Sequence, residues 1–383
     1  RSVLLIEKNK RLGTKLSISG GGRCNITNAE YDVRALLAHY GDAAEFLYSP
    51  FAQFGVRETF DFFESREVPL KVEARQRAFP VSDRAEDVVD ALEAYCTKGR
   101  VDARLNTAVV GIYNTERGFE VGTERETFLA HSVILATGGV SHPETGSTGD
   151  GFAWLTALGH TVAKPTPTIV PLKTADRWIH ELKGVTLPNV KCTFFAEGRK
   201  AHTVRGDILC THFGLSGPTI LNSAHIIDDL LYEGVVSAKI DLFPDLDLGA
   251  LDARMLALFD EHKNKTLKNA LKELLPDGVS RGILLLTDID PEYKVHSLPR
   301  DERKRIGALL KALPVTVLGL MGFDRAVIAD GGVPLSEIDT RTFESRTVKN
   351  LYITGDLLHI NRPSGGYSLQ LCWTSGFVAG ESV

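Results

Sequence analysis

The sequence predicts an α/β protein: a domain of mainly parallel strands and helices that starts at the N-terminus, gives way to a long insertion and resumes at the C-terminus. Three observations carry that expectation. Short apolar runs at 2–7, 133–136 and 351–354 lead directly into an acid or a glycine turn, as buried parallel strands do. Glycine-rich turns at 146–151 and 365–366 open helix-like segments. Between these two halves, Pro165, Pro167 and Pro171 mark a crossover into a region that is first β-alternating and then helical.

Composition narrows the class. The 383 residues are 43% hydrophobic and 24% charged, enough for one large core or two to three smaller ones. No run approaches the roughly 18 apolar residues that a spanning helix needs, and no signal peptide is evident, so a cytoplasmic location without membrane association is the default expectation. Five cysteines (Cys24, Cys96, Cys192, Cys210, Cys372) are scattered and never form a C-x-x-C pair, which suggests neither a disulfide framework nor a metal site. The net charge of −5 argues against broad attraction to nucleic acid. A local exception is the basic set Arg300, Arg303, Lys304, Arg305 and Lys311 on an amphipathic helix, read either as a solvated face or as an RNA contact.

In chain order, Ser2-Val3-Leu4-Leu5-Ile6 reads as a strand, and Glu7 is placed to accept ribose hydroxyls at the end of the second strand of a dinucleotide-binding βαβ unit. The chain opens on Arg1 without the glycine-rich first βα unit, which is expected to lie upstream. Ser19-Gly20-Gly21-Gly22-Arg23-Cys24-Asn25 reads as a loop in which backbone approaches a ligand, with a flexible surface loop as the alternative. Helices are expected over 34–47 and 84–96, with Phe79-Pro80-Val81-Ser82 extended between them. Segments 101–113, 118–123 and 126–136 are expected to form a β-meander entering Thr137-Gly138-Gly139. Asp150 then opens a helix, either as a simple cap or beside an anion-binding turn. In the insertion, strands are expected around 190–195 and 235–243. Two helices follow, one with Leu248, Leu251, Met255, Leu258 and Phe259 on its core face, the other with Leu267, Ala270, Leu271, Leu274 and Leu275.

The runs SGGGRCNITN (19–28), ATGGVSHPETGSTGDG (136–151), THFGLSGP (211–218), and LYITGD with GGYSLQLCWTSGFVAG (351–380) resemble the BaiN/RdsA family, also called YhiN-like flavoproteins, across essentially the whole chain. The resemblance implies an FAD-binding, Rossmann-like flavoprotein with two dinucleotide-binding portions at 1–165 and 326–383. The inserted substrate domain would span 166–325, as a β-barrel (166–245 and 312–325) and a small helical subdomain (246–311). It implies that Glu7 holds the adenosine ribose, that residues 20–25 line the flavin, and that Gly138 and Gly139 lie by the adenosine half. Asp356, Gly365, Gly366 and Tyr367 would hold ribityl and isoalloxazine. Lys8, Lys15, Ser19, Thr137, Asp150, Gly355 and Ser368 complete the expected cofactor set. One departure stands out: His359-Ile360-Asn361-Arg362 occupies a stretch where family members often carry acidic D-x-D-G, which implies a different preference for substrate charge if this loop covers the flavin.

The expected activity is NAD(P)H-driven reduction of an activated C=C bond through flavin N5. The alternatives are dihydrouridine synthesis in ribosomal RNA, amine or amino-ketone oxidation, and a non-catalytic flavin-binding module, so both a small molecule and an RNA stay open as substrate. Reduction of a double bond needs a proton donor, and His212, His359, Tyr367 and Cys24 each lie in or beside a cofactor-associated motif. For His212 a structural histidine, and for Cys24 a small buried residue, are the competing readings.

Overall fold

A computed structural model describes residues 2–276, 278–287 and 289–383, which divide into two compact units. The first joins the chain up to Pro167 with Phe323–Val383; the second is Thr168–Gly322. Residues 166–167 and 323–325 thus leave the expected insertion. The reason is pairing: Ala163–Pro167 runs antiparallel to Ala329–Gly332, so Pro165 and Pro167 sit in a two-stranded ribbon instead of interrupting it.

In the first unit, Leu4–Ile6 pairs in parallel with Asp102–Arg104, and Leu351–Ile353 with Val133–Leu135. The meander is therefore smaller than expected, comprising only Val109–Thr115, Gly118–Thr123 and Thr127–Ala130. Residues 102–104 and 133–135, expected in the meander, belong instead to the two parallel pairs. The unalternating run Val133-Ile134-Leu135 instead suits a parallel strand, and it finds Leu351–Ile353 more than two hundred residues away. The expected helix at 34–47 is two helices, Val33–Ala38 and Ala44–Gln53, because Gly41 at φ +53° turns the chain between them. The second expected helix is present as Ala85–Lys98. The C-terminal helix Tyr367–Ser382 buries Leu371, Val378 and Ala379 against a core that includes Leu351, Ile353 and Leu357. Burial of Leu371 and of Val378 contributes about 1.5–3 kcal/mol each, and the single methyl of Ala379 less.

The second unit is a closed six-stranded barrel, ordered Leu172–Thr174, Gly214–Ser216, Arg199–Cys210, Thr186–Ala196, Val236–Asp241 and Leu313–Leu320. Closure removes the sheet edges. Helices Leu248–Glu261, Leu267–Leu274 and Arg300–Lys311 complete its core with Leu251, Met255, Leu271, Ile306 and Leu310; Leu248, expected on the core face, is exposed. Among the described residues no helix is long and apolar enough to cross a membrane.

Candidate functional site

Ligands of open parallel sheets bind beyond the carboxyl ends of the strands. Three such ends in the first unit lead into the loops that begin at Glu7, Ala136 and Thr354. These loops are stitched together. Lys15 Nζ donates to Ser141 O (2.9 Å) and Ser147 Oγ (3.3 Å), and Asn9 Nδ2 donates to Thr145 O (2.9 Å). Gly139 lies so close to the Asp356 backbone that a Cβ there would sit 3.3 Å from its carbonyl oxygen. Thr137 Oγ1 packs against Gly151, and Gly138 faces Ser147. Glu7 accepts from the Asn9 amide (2.8 Å). Lys8 and Asp150, both expected to meet the cofactor, pair with each other at 2.8 Å, with Thr148 bonded to both. Burial works against the ionised Asp150, yet Lys8 and Thr148 outweigh it and hold its carboxyl below the usual range.

The glycine loop meets the start of the C-terminal helix. The helix that begins at Thr14 loses helical geometry at Ser19, where ψ is 148°, and Gly20 and Gly21 turn left-handed. Ser19 ties this turn by donating to Leu16 O (2.7 Å) and accepting from the Cys24 amide (3.0 Å). Asn25, with its amide oriented to satisfy both ends, accepts from Gly366 N (2.9 Å) and donates to Ala78 O (3.2 Å). Asn28 Nδ2 donates to Gly365 O (3.2 Å), and Thr27 Oγ1 to Gln370 Oε1 (2.6 Å). The NITN segment thus clasps the GGYSLQ segment. Tyr367, the first residue of that helix, is buried; its carbonyl accepts from Tyr40 Oη (2.8 Å) and its ring packs 4.7 Å from His39. Burial, helped by the negative charge of Glu30, pushes its phenol pKa up.

Two expected site residues are turned elsewhere. Arg23 bonds Asp83 Oδ1 (2.8 Å) and Glu73 Oε1 (2.5 Å) and covers the Phe79 ring at 4.2 Å, so its charge is met by two carboxylates and braces the base of the loop. Cys24 is completely buried with Ile26, Phe63 and Val88, and burial pushes its thiol up to about 12. With no exposed surface at all the Cys24 thiol fits the small-buried-residue reading better than the donor reading, whereas Tyr367 keeps 7% of its surface open. His359 is exposed, its Nε2 3.4 Å from Asp330 Oδ1. His212 belongs to the barrel unit, where it is exposed beside Phe213.

Arg362 escaped the sequence reading as a site residue, although its position in the departing stretch 359–362 was the available signal. It is 3% exposed. Its guanidinium bonds Asp356 Oδ1, Ser368 Oγ (3.0 Å) and Ile360 O (2.6 Å). The basic helix Arg300–Lys311 spends most of its charge internally: Arg303 on Asp252, Arg305 on Glu302, and Lys311 on Asp241.

The loops of the first unit fit a flavin dinucleotide. Over Gly21 and Gly22 a Cβ would meet nothing within 4 Å, leaving left-handed backbone open to a flat ring. Ser141 Oγ, beside Lys15, is buried without a hydrogen-bond partner, as a group awaiting a polar ligand would be.

The family model described as "HI0933-like protein Rossmann domain" matches residues 1–382. The chain is 28% identical to a 3-dehydro-bile acid delta(4,6)-reductase of Clostridium scindens and 28% identical to a ribosomal RNA dihydrouridine synthase of Escherichia coli, each over 100% of this chain and 92% of the relative. A solved 3-ketosteroid delta1-dehydrogenase from Sterolibacterium denitrificans aligns at TM-score 0.49 and 13% identity, over 99% of this chain and 94% of that one.

Proposed function

The chain belongs to the HI0933-like Rossmann-domain family, and from that premise we propose that it is an FAD-dependent oxidoreductase that reduces a carbon–carbon double bond conjugated to a carbonyl in a small molecule. The relative named as a delta(4,6)-reductase supports this reaction type. The observation that carries the reading is Tyr367: of the four expected proton donors it is the one at the clasp between the glycine loop and the C-terminal helix, with a phenol that burial keeps protonated. The chemistry supplied by bound FAD would be delivery of a hydride, with NADH or NADPH as electron source. Asp356 would accept ribityl hydroxyls through the carboxylate oxygen that Arg362 leaves free. The start of the Tyr367 helix would face the flavin's carbonyl edge, where the helix dipole favours negative charge. Tyr367 would then protonate the carbon beside the one that gains hydride. Pairing of Arg303, Arg305 and Lys311 with carboxylates reduces the positive charge that the Arg300–Lys311 helix can offer an RNA backbone, which supports the small-molecule reading.

The test is the visible spectrum of the FAD-loaded protein under anaerobic conditions. Flavin bands should bleach with NADH or NADPH and recover on adding a conjugated enone. Tyr367→Phe should bleach at the wild-type rate while recovery with enone slows by about 10²–10⁴-fold. Bands indifferent to both reductants would refute the proposed electron source, and recovery only in air with release of peroxide would make the protein an oxidase. Unslowed recovery in Tyr367→Phe would remove Tyr367 as donor.

A further inference from the structure

Burying an arginine side chain to 1% exposure is costly unless its charge is matched, and the partner here is the carboxylate expected to hold the cofactor. Arg362 reaches that position from a loop that doubles back. Gly355 to Leu358 leaves the strand Leu351–Ile353, and the chain then returns so that the guanidinium lies between Asp356 and Ser368, the second residue of the C-terminal helix. Its third bond, to Ile360 O, closes the loop on itself and fixes the side chain. Two neighbours expected around the cofactor are therefore held by one cation. We propose that Arg362 is the counter-cation that keeps this end of the FAD site neutral, and thereby sets both how readily the bound flavin is reduced and how tightly it is held.

The reasoning is electrostatic and rests on the FAD reading above. Two-electron reduction of a flavin places negative charge on its ring, so every fixed charge nearby enters the equilibrium between oxidised and reduced forms. With Arg362 present, the Asp356 carboxylate is offset. Without it, a bare carboxylate would remain in a low-dielectric site and oppose the added negative charge. Removing the carboxylate instead would leave a bare guanidinium and favour that charge. The two substitutions should therefore shift the flavin in opposite directions, a pattern that general loosening of the loop cannot produce.

The experiment measures the midpoint potential of bound FAD by anaerobic reduction against reference dyes, together with the FAD dissociation constant, in wild type, Arg362→Met, Arg362→Lys and Asp356→Asn. For Arg362→Met the oxidised-to-reduced equilibrium should move at least tenfold toward the oxidised form, about 30 mV for a two-electron couple, and FAD should bind at least tenfold more weakly. Arg362→Lys keeps the charge and should stay within threefold of wild-type potential. Asp356→Asn should shift the potential upward whatever it does to affinity, and it keeps the proposal testable if Arg362→Met does not fold. Equal potentials in wild type and Arg362→Met, equal shifts for Met and Lys, or a downward shift in Asp356→Asn would each overturn the role given to Arg362. Failure of wild-type protein to bind FAD at all would instead refute the cofactor reading on which it rests.

Discussion

Replacing Gly366 by alanine should cost far more than the same change further along the C-terminal helix, and the size follows from two contributions. Gly366 precedes Tyr367 at φ +103°, and an added Cβ would lie 2.2 Å from the Thr27 carbonyl carbon and 2.5 Å from Asn28 N. Holding an L-residue at such a φ costs about 1–3 kcal/mol, and moving packed backbone aside adds about 1–3 kcal/mol. The sum, about 2–6 kcal/mol, is a large part of the roughly 5–15 kcal/mol that holds a folded domain together. Gly21 at φ +70° has nothing within 4 Å, so Gly21→Ala should show only the first contribution. Gly376, exposed inside the helix with open space around it, should gain up to about 1 kcal/mol as alanine. Urea unfolding followed by circular dichroism, without FAD and then with saturating FAD, reads all three. FAD should stabilise the wild type by mass action and stabilise Gly21→Ala much less, because the new methyl occupies the space offered to the cofactor. If Gly366→Ala unfolds at the same urea concentration as Gly376→Ala, the clasp is not as tight as the geometry requires. If Gly21→Ala keeps the full effect of FAD, that loop does not face the ring.

Cys24, with its thiol pushed up to about 12 by burial, should resist iodoacetamide in folded protein at pH 8 and react only on unfolding; mass spectrometry finding it alkylated within minutes in native protein would contradict its burial. A buried His160 bonds Glu337 Oε2 (2.6 Å) and Ser345 Oγ (2.8 Å). Burial opposes the Glu337 charge, but bonds from Thr161 and His160 prevail and hold its carboxyl below the usual range. Stability from a depressed carboxyl is present above the ordinary glutamate range and is lost as pH falls from that range through the lower folded-state value. The acid limb of a melting-temperature profile should therefore be shallower in Glu337→Gln than in wild type, and identical limbs would show that the pair contributes nothing there.

Much of the fold was legible because it depends on local pattern. The helix faces at Leu251, Met255 and Phe259 and at Leu267, Ala270, Leu271 and Leu274 follow the 3.6-residue period and are buried as that period requires. The parallel strands can be read as unalternating apolar runs, but not their partners: nothing near Val133–Leu135 announces Leu351–Ile353, so local pattern alone extends the meander too far. The candidate site divides the same way. Glycines whose backbone must be left-handed, such as Gly20 and Gly21, stand out in any reading because few other residues tolerate that geometry. Charged residues do not reveal their partners. Arg23 and Lys8 each sit in a cofactor-like motif, yet Arg23 is neutralised from Glu73 and Asp83 and Lys8 from Asp150, carboxylates tens to more than a hundred residues away.

Arg362 shows the converse, because a cation in a short loop after a strand looks like a surface residue until its burial is known. The physical difference is that a glycine's constraint is intrinsic to its own dihedral angles, whereas a charge is defined by what surrounds it. It follows that a charged residue in a cofactor-like motif has to be read together with its ion-pair partner, as with Arg362 and Asp356, which the fold has taken out of water together. Substituting one member of such a pair should be felt at the cofactor site itself, whereas substituting Arg23 should be felt first in the bracing of the loop beneath it.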